Sequence, residues 1–274
     1  MDIMFSKMHG AGNDFIMIDD MEKRFAFSKT AIAALCARHR GIGADGLILL
    51  HPSTSAPFAM DYFNADGGEA ELCGNGARCA ARFAHEQGLA GPVMRFETRA
   101  GVVDAEILED GVRIGIGTVH GLARSLRVAS SLQPVHYGVC GVPHAVVIDD
   151  DAHALPRDEF VAFARAMRHD PVFGAPGANV NVVSVTGARR CSYRTYERGV
   201  EDETLACGTG AVVISAVLMH VANVTPPILC ETFGGDVLEV DCERTPEGAA
   251  NCRLKGPVAT SFRGVFRAED YERP

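Results

Sequence analysis

The chain has 274 residues, 47% of them apolar and 22% charged, a balance that supports a packed core and excludes an intrinsically disordered chain. Its formal charge of −9, with Lys and Arg scattered rather than clustered, repels phosphate backbones and argues against nucleic-acid binding. The N-terminus lacks a basic segment followed by an apolar one, and the longest apolar stretch, Gly210 to Ala222, is too short to cross a bilayer, so the expectation is a cytoplasmic protein with no membrane association.

In chain order, an apolar strand is predicted over Phe15 to Asp20, entered from a Gly-containing turn. A β-rich stretch, Ala59 to Phe63, leads through a polar loop into Cys73-Gly74-Asn75-Gly76-Ala77. An Ala-rich run of helical length continues from about Gly76 to Gln87, and Gly88 suits the left-handed position that ends it. β-like segments fill Met94 to Ile116, with a hairpin signal at Asp110-Gly111. The order then recurs. A strand over Ala145 to Asp150 and a β-rich stretch from Cys191 to Tyr196 precede Cys207-Gly208-Thr209-Gly210-Ala211. A second helix runs from Gly210 to Asn223, before Pro226-Pro227, and is apolar on all sides, which marks a helix inside its own domain. Ile228 to Leu254 is β-like again, with a turn at Pro246-Glu247-Gly248.

The recurrence is an internal repeat. Glu69 to Ala77 aligns with Glu203 to Ala211 at an offset of 134, as do Glu97-Thr98 and Gly101 with Glu231-Thr232 and Gly235. Phe15 to Asp20 aligns with Ala145 to Asp150 at an offset of 130. The expected fold is α/β (α+β): two homologous domains, each a curved mixed sheet around a central helix, related by a pseudo-twofold with the active site in the cleft. The domains are expected at residues 1–119 and 120–274, with the last dozen or so residues a candidate to pack back on the N-terminal half.

Nine cysteines are an odd number in a chain without a signal peptide, which argues for thiols rather than a disulfide scaffold. Most sit in apolar surroundings, where a buried thiol acts as a small hydrophobe. Cys73 and Cys207 differ because each occupies a matched Gly-rich turn at a helix start. There the unpaired amides and the helix dipole stabilise a thiolate against a reference pKa of about 8.5. The N–H groups of Gly74, Asn75, Gly208 and Thr209 form a cradle for a carboxylate. An amino acid whose α-carboxylate sat there would hold its α-carbon between two sulfurs. One takes the proton while the other returns one to the opposite face, which inverts the centre. Such a pair holds one thiol and one thiolate and titrates as a unit. No metal is expected, since Cys73, Cys79 and Cys207 form no paired knuckles, and no C-x-x-C redox motif is present.

These residues resemble the diaminopimelate epimerase family along nearly the full length. The resemblance runs through Lys7 to Phe15, Arg40 to Gly46, Phe63 to Gly67, both cysteine motifs, Gly177-Ala178-Asn179-Val180-Asn181 and Glu197-Arg198-Gly199. It implies interconversion of LL- and meso-diaminopimelate, in lysine and peptidoglycan-precursor synthesis, by a small-molecule enzyme using no cofactor. It also implies Cys73 and Cys207 as the acid/base pair, His144 and Glu197 as groups beside the thiols that tune them, and Asn13, Asn64, Asn179, Glu197 and Arg198 as substrate ligands. Arg198 would meet a distal carboxylate and Glu197 an amine. Asn13 and Asn64 also read as ordinary turn residues, and His144 as a structural imidazole.

The sequence departs from the family at two places. Val142 stands where many members have Asn, and the loop from Glu197 to Cys207 is one residue longer than in members reading Glu-Arg-Gly-x-Gly-Glu-Thr. A racemase for another amino acid on the same fold therefore stays open, as does, from a different class, a thiol-based metal-binding or redox module. The sequence leaves a homodimer open.

Overall fold

A computed structural model of the protein describes residues 1–151 and 153–271. Residues 272–274, the end of the tail expected to pack back, lie outside the described residues. The described chain divides into two compact units: one is Met1–Ile114 together with Gly256 to Tyr271, the other Gly115–Lys255. The division falls inside a strand, ahead of the expected boundary at Val119. The returning segment begins earlier than expected because a whole strand belongs with the first unit.

In the first unit, β1 (Asp2–Gly10) and β2 (Asn13–Asp19) form a hairpin whose turn residues Ala11 and Gly12 both take positive φ, 52° and 81°. A short helix, α1 (Lys29–Cys36), starts at Ser28, whose hydroxyl accepts from the Ala31 N–H. β3 (Gly46–His51) then runs parallel to β2. β4 (Ala59–Asn64) and the two-residue β5 (Glu69–Ala70) lead into α2 (Gly74–Glu86). β6 (Val93–Thr98) returns parallel to β4, so α2 is the crossover of a parallel pair. β7 (Gly101–Leu108) and β8 (Gly111–Leu126) follow, turning at Glu109-Asp110.

The second unit repeats this plan. β9 (Val135–Cys140) and β10 (Val142–Ile148) are antiparallel, and α3 (Arg157–Arg168) crosses over to β11 (Asn179–Gly187), parallel to β10. β12 (Arg190–Glu197) and β13 (Asp202–Thr204) lead into α4 (Gly208–Val221). β14 (Ile228–Glu231) returns parallel to β12, and β15 (Val237–Thr245) and β16 (Gly248–Gly256) follow. The ladder closes on β8: the Leu122 N–H donates to the Glu247 carbonyl, and Gly248, at φ +150°, lies so close that a Cβ would meet the Val119 carbonyl oxygen at 2.2 Å. The strands thus form a barrel around α4. β17 (Ala259–Arg267) belongs to the first unit, paired with β1 from Asp2↔Arg267 to His9↔Ala259.

Burial explains the apolar patterning. Ala211 to Leu218 of α4 are all at 1% exposure or less, as an all-round apolar helix requires. α2 presents Ala77, Cys79, Ala80, Ala81 and Ala84, small side chains that let strands approach its backbone. β2 is fully buried from Phe15 to Ile18 because helices cover both faces: Ile16 and Ile18 pack with Ile32 and Leu35 of α1, while Phe15 and Met17 point the other way. On the outer face of the second sheet, Phe160, Ala164 and Met167 of α3 pack on Val180, Val182 and Tyr196.

Both central helices start two residues earlier than expected, at the first glycine of each motif, with Cys73 and Cys207 as N-caps. α2 ends as the sequence predicts, with Gly88 at φ +74° donating to the His85 carbonyl and Leu89 to that of Ala84. α1 and α3 have no counterpart in the sequence reading. α3 nonetheless carries a dipole signature, Asp158 and Glu159 in its first turn and Arg165 and Arg168 in its last. α1 has only the Ser28 cap.

Replacing Ile214 by Ala, at the centre of α4, is expected to cost about 2–5 kcal/mol, read as a fall in the urea midpoint; a change below about 1 kcal/mol would mean that α4 is not a fully packed core helix. A second expectation concerns Asp14, which takes Lys7 Nζ at 2.5 Å and Arg38 at 2.9 Å. Burial opposes its ionisation, but the Arg38 and Lys7 hydrogen bonds outweigh burial and hold the carboxyl at about 2, below its ordinary 3.8. A folded value below the unfolded one gives stability that is present above pH about 4 and lost as pH falls towards about 2. Asp14→Asn should therefore flatten stability against pH across that window; an unchanged slope would show that the carboxylate takes no part.

Candidate active site

In the first unit, Cys73 caps α2 with φ −126° and ψ 122°, so its side chain stands at the open end of the helix. The first helical hydrogen bond runs from the Ala77 N–H to the Cys73 carbonyl, which leaves the amides of Gly74, Asn75 and Gly76 with no acceptor inside the helix. The Cys73 thiol donates to Asn13 Oδ1 at 3.4 Å, and Asn75 Nδ2 donates to the same oxygen at 3.3 Å. Asn13 is aimed by its other end, Nδ2 donating to Asp45 Oδ2 at 2.8 Å. Asp45 is itself bound by Arg38 and lies against Asp14. Three expected residues, Asn13, Cys73 and Asn75, are thus brought together at one helix start.

Asn64 occupies the turn that closes β4: its backbone N–H donates to the Gly68 carbonyl, and its side-chain oxygen accepts from the Tyr62 hydroxyl at 2.8 Å. The sequence reading missed Arg78. This guanidinium is fully buried one turn into α2, donating to Asn75 Oδ1 at 2.8 Å, and it favours negative charge at that helix end. Its signal was a lone cation in the Ala-rich run from Gly76 to Ala81.

In the second unit, Cys207 caps α4 with φ −124° and ψ 109°, close to the values at Cys73. The Ala211 N–H donates to its carbonyl, so the amides of Gly208, Thr209 and Gly210 correspond to those of the first unit. The buried Tyr193 hydroxyl also donates to that carbonyl, at 2.9 Å, and fixes the turn. The Cys207 sulfur lies 3.6 Å from Thr209 Oγ1, and Thr209 Oγ1 lies 3.0 Å from His144 Nε2. His144 is therefore connected to the cysteine through a hydroxyl. Burial, with the Arg198 charge adding to it, depresses the His144 pKa to about 3, so its imidazole is neutral.

Glu197 ends β12 and Arg198 follows it in the loop, both half-buried. Glu197 Oε1 accepts from the Thr204 hydroxyl at 2.7 Å. Asn179 Oδ1 accepts from the Arg198 backbone N–H at 2.7 Å, a backbone-supporting role at this position. The lengthened loop beyond is held by consecutive acids: Glu201 pairs with Arg168 at 2.7 Å, Asp202 with Arg157 at 2.6 Å and Glu203 with the buried Arg194 at 2.6 Å. Val142 is half-buried on β10, two residues before His144. Asn181, Thr195 and Thr204 are polar residues of this site that the sequence reading did not single out. Asn181 carried a signal, an amide inside the run Val180-Asn181-Val182-Val183.

Among the described residues, no three His, Cys, Asp or Glu side chains converge to hold a metal, and no helix is long and apolar enough to cross a membrane. All nine cysteines are free thiols.

Comparison with known proteins matches residues 5–121 and 137–251 to the family model described as diaminopimelate epimerase. The chain is 36% identical to a diaminopimelate epimerase of Aquifex aeolicus, covering 98% of this chain and 99% of that one. It is 39% identical to the protein of that name from Methanocella arvoryzae, covering 96% and 99%. Among solved structures, a PhzF-family phenazine biosynthesis protein of Bacillus anthracis aligns with a TM-score of 0.75 at 14% identity, covering 97% of this chain and 99% of that chain. A hydroxyproline epimerase of Agrobacterium vitis aligns at 0.70 and 17%, covering 96% and 92%. At those identities the likeness is one of fold. Matched along almost all its length by the family model and by relatives at this level of identity, the chain belongs to the diaminopimelate epimerase family, a family of isomerases.

Proposed function

We propose that this protein interconverts LL- and meso-diaminopimelate, with Cys73 and Cys207 exchanging the α-proton from opposite faces of one carbon. The observation that carries this reading is the pairing of matched helix starts: two thiols on N-caps of nearly equal backbone conformation, each beside first-turn amides that have no acceptor inside the helix. The amides suit the α-carboxylate and the developing negative charge beside it. A thiolate on one side removes the proton, a thiol on the other supplies one, and the product leaves the pair with charge exchanged. Arg198, on the loop after β12, offers a guanidinium for a distal carboxylate. The family's relatives carry the same activity in their names. The reaction belongs to lysine and cell-wall precursor synthesis, and nine free thiols suit a reducing compartment such as the cytoplasm.

The test is incubation of the purified, reduced protein with LL-diaminopimelate in deuterated water. Meso product carrying one α-deuterium is expected, with exchange slowed sharply for amino acids that lack the distal end. Exchange with a simple amino acid as fast as with diaminopimelate would favour a racemase of another substrate, the reading prompted by Val142. Cys73→Ala and Cys207→Ala are each expected to lower turnover by about a hundredfold or more; retained turnover in either variant would end the two-thiol reading.

A further inference from the structure

The polar residues under Cys207 form a chain of hydrogen bonds in which each donor is fixed by the one before it. Asn181 on β11 is fully buried, and both polar atoms of its side chain have partners. Its Oδ1 accepts from the Thr195 hydroxyl at 2.9 Å; its Nδ2 donates to the Ala145 carbonyl at 2.9 Å and to His144 Nδ1 at 3.2 Å. The Ala145 carbonyl can only accept, so the Asn181 amide has one orientation and offers its second N–H to the imidazole. His144 Nδ1 is then the unprotonated nitrogen, and the neutral ring carries its proton on Nε2. That proton points at Thr209 Oγ1, 3.0 Å away. With its oxygen accepting from the ring, the Thr209 hydroxyl proton is left available to the Cys207 sulfur, 3.6 Å away, a contact in which either atom can donate.

From this geometry we propose that Asn181 and Thr209 are positioning residues for Cys207: they lock His144 as the Nε2–H tautomer and aim the Thr209 hydroxyl at the sulfur, holding Cys207 as a thiolate. A donor turned towards sulfur favours the charged form. Cys207 is then the proton acceptor of the substrate-free protein. The assignment rests on the two-thiol reading above for its catalytic meaning, but the protonation states are properties of the protein alone.

Among the described residues, the titratable and charged groups near this sulfur include the following. Tyr193 of β12 donates to the Cys207 carbonyl, and burial raises its pKa well above the ordinary value, so it stays neutral. His144 of β10 is neutral for the reasons given. Glu197, at the end of β12, and Arg198, in the loop after it, stand beyond, with Arg198 opposing any protonation of His144. Cys191 and Cys230 lie behind Tyr193, their sulfurs 3.6 Å apart. Asn181 of β11 and Thr209 of α4 carry no charge.

The test uses full-length reduced protein without substrate. Nitrogen NMR of histidine-labelled protein should place the His144 proton on Nε2, and carbon NMR of cysteine-labelled protein should follow the Cys207 Cβ shift against pH. Thr209→Val is expected to raise the Cys207 midpoint by about one pH unit, a tenfold smaller thiolate fraction below the midpoint. Thr209→Ser should restore it, which loss of packing alone would not do. Asn181→Asp replaces the donor with an acceptor and should move the His144 proton to Nδ1; should that buried carboxylate prevent folding, the Thr209 pair decides. An Nδ1–H tautomer in the unaltered protein, or an unmoved Cys207 midpoint in Thr209→Val, overturns the proposal. Because no turnover is read, a protein inactive on diaminopimelate would defeat the proposed function while leaving these results to stand or fall separately.

Discussion

The chemistry available at either cysteine depends on where a parallel crossover places the first turn of a helix. Two parallel strands cannot be joined by a tight turn, so the chain must cross over between them. In each unit the crossover helix becomes the apolar centre. Its start is the one part of it that cannot be apolar, because the first turn's amides have no acceptor within the helix. A cysteine at the N-cap sits against those amides with its side chain outside the helix. The partial positive charge there favours its thiolate. The same turn thus supplies the reactive group and the site for a carboxylate.

Burying that helix start sets the residues around it. A Cβ on Gly210 would come within 2.6 Å of Asn181 Oδ1, and one on Gly76 within 2.9 Å of Ile48 Cδ1. The second glycine of the Cys207 motif is therefore a packing requirement, and that of the Cys73 motif a close fit against a side chain that can shift. At Gly210 the contact bears on the site as well, since the amide that a Cβ would meet is the one that bonds His144. A larger residue would push out the amide and with it the fixed tautomer.

Much of this was legible in the sequence because it is local and repeated. The matched motifs at an offset of 134 fall at equivalent helix starts, and Gly88 ends α2 where a left-handed residue was expected. What escaped was non-local. α1 is short and is held by packing on β2 and β3 rather than by periodicity. β17 belongs with β1 from the far end of the chain, a pairing that no local pattern announces. The polar support of the site was hidden for a similar reason. Asn181 and Thr195 become partners only through the β11–β12 register, which sets Asn181 opposite Thr195. Asn64 reads as a substrate ligand and, second to that, as a turn residue; its backbone N–H does bond the Gly68 carbonyl in the turn.

The two causes that keep His144 neutral are unequal, and the difference matters once a substrate is considered. Burial is the larger and Arg198 the smaller. A distal carboxylate on Arg198, as the proposed reaction requires, would cancel much of that cation's field and would by itself let the imidazole gain a proton more easily. Burial remains, because His144 lies under α4 among Asn181, Ala145 and Thr209 and has no exposed surface to gain or lose. The ring would stay neutral, Nδ1 would stay an acceptor for Asn181, and the Thr209 hydroxyl would keep its direction. Placing the imidazole out of solvent thus separates the state of Cys207 from the charge of whatever Arg198 binds, which an exposed histidine in the same position could not do.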